Sequence, residues 1–181
     1  MRIAVTGGIA EGKSTVMGYL REMGYETASA DAMAREVFID ESVQAQLGSL
    51  LDSRIPVSAE MLRERIASDD GVRRRVNRIM HPLVVKKMMA SEAAFIEVPL
   101  LFETSLHPLF ERVWVVTCGA EIQLERLTKR LGNVQAAQGL IGTQLPTQVK
   151  CAFADQIIRT NGSEESVKAI VQSAISREFE K

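Results

Sequence analysis

The chain opens on a short continuous apolar run, Ile3-Ala4-Val5, closed by Thr6-Gly7-Gly8. That is the pattern of a buried parallel strand entering a tight turn. Helical periodicity starts at once: Val16, Tyr19, Leu20 and Met23 recur at helix spacing until Gly24 stops them. A second strand-like run, Glu26-Thr27-Ala28-Ser29-Ala30, follows, so the opening segment reads as strand, helix, strand. From Asp31 to Glu92 the pattern is helical almost throughout, broken at Arg54-Ile55-Pro56 and at His81-Pro82, and it holds no convincing strand. Strand signals return over residues 94–98, stopped by Pro99, and over 113–116, each expected to lead into a helical segment in a parallel sheet. Residues 119–131 form an amphipathic helix, 132–153 are polar and interrupted by Gly139, Gly142 and Pro146, and Asp155 to Thr160 give a final short strand. A last helix runs from about Ser163 to Arg177, with Ser163 as its N-cap and Ser166 as the alternative.

At 181 residues and 46% hydrophobic content, the chain can bury one good core and carry a small subdomain. Lys and Arg (22) nearly balance Asp and Glu (23), and the net charge of −1 gives no field that would gather nucleic acid or an anionic membrane. Small molecules are the expected partners, with no nucleic acid, no membrane and a monomeric state. Cys118 and Cys151 show neither CxxC spacing nor a paired framework, which fits a reduced, cytoplasmic chain. The opening residues run straight into the glycine motif, so no signal peptide is expected, and no apolar stretch approaches a membrane span.

The chemistry begins at Gly7-Gly8-Ile9-Ala10-Glu11-Gly12-Lys13-Ser14, which matches G-x-x-x-x-G-K-[ST] between an apolar strand and a helix. Gly8, Ala10, Glu11 and Gly12 form a loop whose backbone N–H groups converge on phosphates, and the helix from Lys13 adds its positive end. Lys13 is expected to reach the β- and γ-phosphates of ATP, Ser14 to ligate Mg2+, and Thr15 to bond further along the triphosphate. A chance glycine-rich turn with an exposed lysine is the bland alternative. Glu11 places a carboxylate inside a loop built to attract anions, so its side chain is expected to point outward. A P-loop alone does not separate a metabolite kinase from a motor, a GTPase or a nucleotide switch. The chain is short for a motor and lacks an Asn-Lys-x-Asp motif, which leaves a small kinase as the simplest choice.

Gly7-Gly8-Ile9, Ala30-Asp31-Ala32-Met33-Ala34-Arg35, Leu62-Arg63-Glu64-Arg65-Ile66, His81-Pro82-Leu83-Val84, Val98-Pro99-Leu100-Leu101-Phe102-Glu103, Gln123 to Arg130, Ala154-Asp155 and Asn161-Gly162 occur in this order. Together they resemble the dephospho-coenzyme A kinase family over nearly the whole chain. The resemblance implies ATP-dependent phosphorylation of the ribose 3′-hydroxyl of dephospho-CoA, the last step of coenzyme A synthesis. It makes Asp31, just past the second strand, the general base or the group that orients the acceptor hydroxyl, with helix capping as the bland alternative. Arg35, four residues on, could pair with Asp31 or contact substrate. Gln123, Arg126 and Arg130 lie on one helical stripe, and the resemblance gives Arg130 the role of neutralising charge on the transferring group from a lid, with a solvated basic face as the alternative. It places His81, Pro99 and Leu100 at the acceptor and Asn161 near the adenine. Glu103 is open between water-mediated help to Mg2+ and a surface salt bridge. Ala10-Glu11 stand where the family usually has Gly-Ser, and Leu131 follows Arg130 where Asp is usual.

The expected fold is α/β: a three-layer P-loop NTPase fold of the nucleoside-monophosphate-kinase type with a parallel five-stranded sheet, a helical acceptor-binding insertion and a helical lid. Residues 1–35 and 93–181 would form the P-loop core, with the lid near 130–153, and 36–92 the helical acceptor-binding subdomain. A kinase of another small acceptor, such as a nucleoside monophosphate or a sugar acid, and a non-catalytic nucleotide switch stay open beside the dephospho-CoA assignment.

Overall fold

A computed structural model describes residues 1–53 and 55–179; Arg54, part of the expected break at 54–56, lies outside them. Five strands, β1 (Ile3–Thr6), β2 (Thr27–Ser29), β3 (Phe95–Glu97), β4 (Arg112–Thr117) and β5 (Gln156–Arg159), form one sheet in the order β2-β3-β1-β4-β5. Every pairing is parallel, with Val5 of β1 opposite Glu97 on one side and Trp114 on the other. Parallel neighbours need crossovers, and helices supply most of them. α1 (Lys13–Glu22) joins β1 to β2, and α6 (Ala120–Leu131), α7 (Val134–Gly142) and α8 (Thr147–Cys151) lie between β4 and β5. α9 (Glu164–Phe179) closes the chain; Ser163 Oγ accepts the Ser166 N–H at 3.3 Å, as the N-cap expectation required.

β1 and β4 are buried along almost their whole length, as strands covered on both faces must be. Ile3, Val5, Phe95, Trp114, Val116 and Ile158 pack against Val16, Met17 and Leu20 of α1 and Val167, Val171 and Ala174 of α9. Phe95 and Trp114 meet edge to face at 5.1 Å. Burying one such side chain fully contributes about 1.5–3 kcal/mol, so this layer fixes β1 and with it the loop that leaves it.

The chain divides into two compact units, Met1–Ser29 together with the part from Glu92 onward, and Ala30–Ser91. The boundary falls at Ser29 rather than after residue 35 because α2 (Ala30–Phe38) packs on α5 (Asp70–Met89). The helical unit also holds α3 (Glu41–Leu50) and α4 (Ala59–Ser68). The starts of α3, α4 and α5 are capped by Asp40, Ser58 and Asp69, whose side chains accept from backbone N–H groups two or three residues on. The expected break at His81-Pro82 does not occur: α5 runs through Pro82, its apolar face pinned on both sides by the buried Val72, Val76, Val84 and Met88. Two further expectations give way. β3 leads into turns and a single 3-10 turn at His107–Leu109 instead of a helix, and α7 continues through Gly139 to Gly142. Among the described residues, no helix is long and apolar enough to cross a membrane.

Candidate nucleotide-binding site

The loop leaves the C-terminal end of β1 and enters α1 at Lys13. Gly12, the N-cap, takes φ 93°, and a Cβ there would meet Thr160 Oγ1 at 2.9 Å, so only glycine fits. α1 presents its positive N-terminal end to the loop, which favours an anion there. Ser14 and Thr15 are exposed there and line a cavity of about 710 Å3 with Ala10, Arg126, Arg130 and Gly162. Lys13 Nζ donates to the Gly7 and Gly8 carbonyls at 3.0 and 2.8 Å, which keeps the ammonium over the loop.

Ala10 adopts φ 62°, the left-handed region that favours glycine. The cost is about 1–2 kcal/mol for a residue with a Cβ.

Glu11 corrects the sequence expectation most clearly. Its side chain does not point outward: the residue is 1% exposed. The carboxylate accepts from Gly8 N–H at 2.6 Å, Thr147 Oγ1 at 2.6 Å and Thr117 Oγ1 at 3.0 Å. A carboxylate taken out of water needs such donors, and charge-assisted bonds are the strong ones. Gly8 makes room for them, since a Cβ on it would lie 2.9 Å from both the Glu11 carboxylate and the Thr147 hydroxyl. A second cavity, about 660 Å3, lies on this side, lined by Gly8, Glu11, Gln123, Gln144, Thr147 and Cys151 among others.

The stripe on α6 divides. Gln123 is buried and donates to the Ile9 carbonyl at 3.0 Å, away from the first cavity. Arg126 clamps the end of β5, Nη2 donating to the Thr160 carbonyl at 2.8 Å, and Arg130 lines the same cavity one turn further on. Thr160 Oγ1 in turn donates to the Glu11 carbonyl at 2.7 Å. Thr160 and Gly162 line that cavity, whereas Asn161 is an exposed residue between them.

Asp31 and Arg35 are exposed on α2, which begins at Ala30 directly after β2. Asp31 therefore sits within the first helical turn and not at the N-cap that the bland alternative gave it. His81 is half-buried in α5. Pro99 and Leu100 form the turn after β3, where the Pro99 carbonyl accepts from Thr6 Oγ1 and from Lys150 Nζ, both at 3.3 Å.

Lys150 is a buried charge beside the turn after β3 that sequence patterning misses. It is fully buried in α8, and its ammonium pairs with Glu103 Oε1 at 2.9 Å. No local spacing links the two. Glu103 also accepts the Leu145 N–H at 3.0 Å; of its two alternatives the ion pair is the one formed, with the lysine end buried and the glutamate end open to water. Burial pushes its carboxyl up, but the bonds from Lys150 and Leu145 outweigh this and hold it below its ordinary value. Cys118, just past β4, is a free buried thiol; burial pushes it above its ordinary value and Arg126 only partly offsets this.

The exposed Ser14 hydroxyl at the loop–helix junction suits Mg2+, and among the described residues no group of three His, Cys, Asp or Glu could hold a metal. This donor set fits an ion carried mainly by phosphate oxygens and water.

Residues 1–166 match the family model described as dephospho-CoA kinase. A curated dephospho-CoA kinase of Shouchella clausii is 32% identical over 193 aligned positions, covering 98% of both chains. One from Geobacillus kaustophilus is 33% identical, covering 93% of this chain and 92% of its own. Among solved structures, TT1252 from Thermus thermophilus superposes with a TM-score of 0.87 at 25% identity, covering 99% of this chain and 97% of that one. The fold is shared with a dephospho-CoA kinase from Campylobacter jejuni, TM-score 0.76 at 21% identity, with coverage of 99% and 97%. It is shared more loosely with a shikimate kinase from Aquifex aeolicus, TM-score 0.54 at 16% identity over 99% of each chain. A P-loop opening on a five-stranded parallel sheet, matched along with the helical unit by one family model, means that the chain belongs to the dephospho-CoA kinase family.

Proposed function

We propose that the protein transfers the γ-phosphoryl group of ATP to the ribose 3′-hydroxyl of dephospho-CoA, giving CoA and ADP. The observation that carries this is the family match across residues 1–166, which includes the helical unit as well as the nucleotide loop. Acceptor choice would reside in that unit, with Arg35 and His81 contacting the acceptor together with Pro99 and Leu100. Phosphoryl transfer asks little covalent chemistry of a protein, so positioning and charge stabilisation dominate. The loop amides and Lys13 hold the β- and γ-phosphates, and Gly8, Ala10, Gly12, Ser14 and Thr15 frame them. Asp31 orients the 3′-hydroxyl and takes its proton as the P–O bond forms and ADP leaves. Arg130 neutralises charge on the transferring group from the lid at about 130–153, whose closure excludes water. Asn161, beside Gly162, borders the adenine. Ser14 would hold Mg2+, which would supply neutralisation of phosphate charge.

The free thiols fit a reducing, cytoplasmic setting, and the near-zero net charge fits small-molecule partners over nucleic acid or an anionic membrane. The switch alternative loses its main support, because the Glu11 carboxylate is committed to three donors beneath the loop. The test is ADP release against a panel of acceptors: dephospho-CoA supports it, whereas nucleoside monophosphates, shikimate and gluconate do not. Equal turnover with any of these would refute the acceptor assignment.

A further inference from the structure

Glu11 reaches three segments that are far apart in sequence. Its Oε2 accepts from the loop itself at Gly8 and from Thr147, the first residue of α8, and its Oε1 accepts from Thr117, the last residue of β4. The neighbouring Ile9 is tied to the same region: its N–H donates to Gln144 Oε1 at 2.9 Å. The first half of the loop is thus bonded twice to residues 144–147, once through a buried charge. A shorter side chain at position 11 could not join all three donors. The second half, from Gly12 to Thr15, carries the helix N-terminus and opens on the nucleotide cavity.

We propose that Glu11 is a positioning residue that couples the nucleotide loop to the 144–147 segment, so that the two change conformation together when ATP binds. The inference rests on the loop being the ATP site, as argued above. Glu11 acts through the Gly8 amide and the Thr147 hydroxyl, with its carboxylate away from the triphosphate. Loosening either end of the brace lets the loop sample geometries in which its amides no longer converge, and nucleotide affinity falls.

The test is titration of the full chain with a non-hydrolysable ATP analogue and Mg2+, free of any acceptor, on the wild type and on Glu11→Ala, Thr147→Val, the double variant and Glu11→Gln. Coupled residues lose affinity non-additively. Glu11→Ala is expected to weaken binding about 30-fold, Thr147→Val about 5-fold, and the double variant no more than Glu11→Ala within about twofold. Glu11→Gln, whose amide oxygen still accepts from Gly8 and Thr147, should recover at least about half of the loss on a logarithmic scale. Additive losses in the double variant would overturn the coupling. So would a Glu11→Gln as weak as Glu11→Ala, which would assign the effect to charge alone, or affinities that hold while only the melting temperature falls. Should Glu11→Ala not fold, Thr147→Val and Gln144→Ala carry the test: each must weaken the analogue, and unchanged binding in both overturns the proposal. Wild-type protein that binds the analogue but forms no CoA would sink the acceptor assignment and leave these titrations to decide the coupling.

Discussion

The two compact units hold themselves together by opposite means. In the helical unit, the starts of three of the four helices are fixed by near neighbours: Asp40 accepts from Ser42 and Val43, Ser58 from Met61, Asp69 from Gly71 and Val72. In the α/β unit the decisive bonds join distant segments: Thr117 and Thr147 to Glu11, Thr160 to the Glu11 backbone, Lys150 to Glu103, and Asp155 to the Val113 N–H. Local caps let a helix form wherever its sequence carries them, whereas a long-range network exists only in the completed fold. The nucleotide machinery is therefore expected to fail cooperatively and the helical unit piecemeal.

The sharpest separation comes from Asp31→Asn, which alters the helical unit's proposed base and leaves the nucleotide loop intact. Turnover should fall on the order of 10²- to 10⁴-fold while ATP affinity stays within about threefold. Undiminished turnover would remove Asp31 from its role.

Lys150→Met probes the network. It removes one partner of a pair whose lysine is fully buried and whose glutamate side chain is 22% exposed. A stability loss of about 2 kcal/mol in urea unfolding is expected, less than for a fully buried pair because water still reaches Glu103. A change within about 0.5 kcal/mol would show that the pair does not bind α8 to the turn after β3.

Ala10→Gly works in the opposite direction. It relieves a left-handed residue at φ 62°, and after the extra freedom glycine gives the unfolded chain, a net gain of about 0.5–1 kcal/mol is expected. A loss would mean that the alanine methyl contributes packing that outweighs the strain.

The smallest effect is acid softening of the helical unit. Hydrogen bonds from Ser42 and Val43 hold the Asp40 carboxyl below its ordinary value, and those from Val72 and Gly71 do the same for Asp69. With the folded value below the unfolded one, the stabilisation is complete above an unfolded value of about 3.9 and disappears as pH falls through the folded value. Protection of the capped amides against hydrogen exchange should decline over that window, and Asp40→Asn with Asp69→Asn should flatten the dependence. Protection that is independent of pH in the unsubstituted chain would contradict it.

What the sequence made legible follows the same division. The β1–loop–α1 unit could be read because an apolar run, a glycine motif and helical spacing are contiguous, and the Ser163 cap because its partner is three residues away. Pro82 misled because local rules end a helix there, whereas burial on both sides of it carries α5 through. Gly139 misled too, since α7 runs through it, whereas at Gly142 the helix does end. Glu11 and Lys150 were illegible for a different reason. A charged residue reads as surface until the fold brings Thr117, Thr147 or Glu103 to it, and no spacing along the chain encodes that meeting.

The most direct measurement is what the wild-type protein makes from Mg-ATP and dephospho-CoA, followed by mass and by 31P NMR. CoA is expected, with one new phosphomonoester on the ribose 3′-oxygen and one ADP released per CoA formed. Release of ADP without CoA, or a phosphoryl group on any other oxygen, would contradict the proposed reaction.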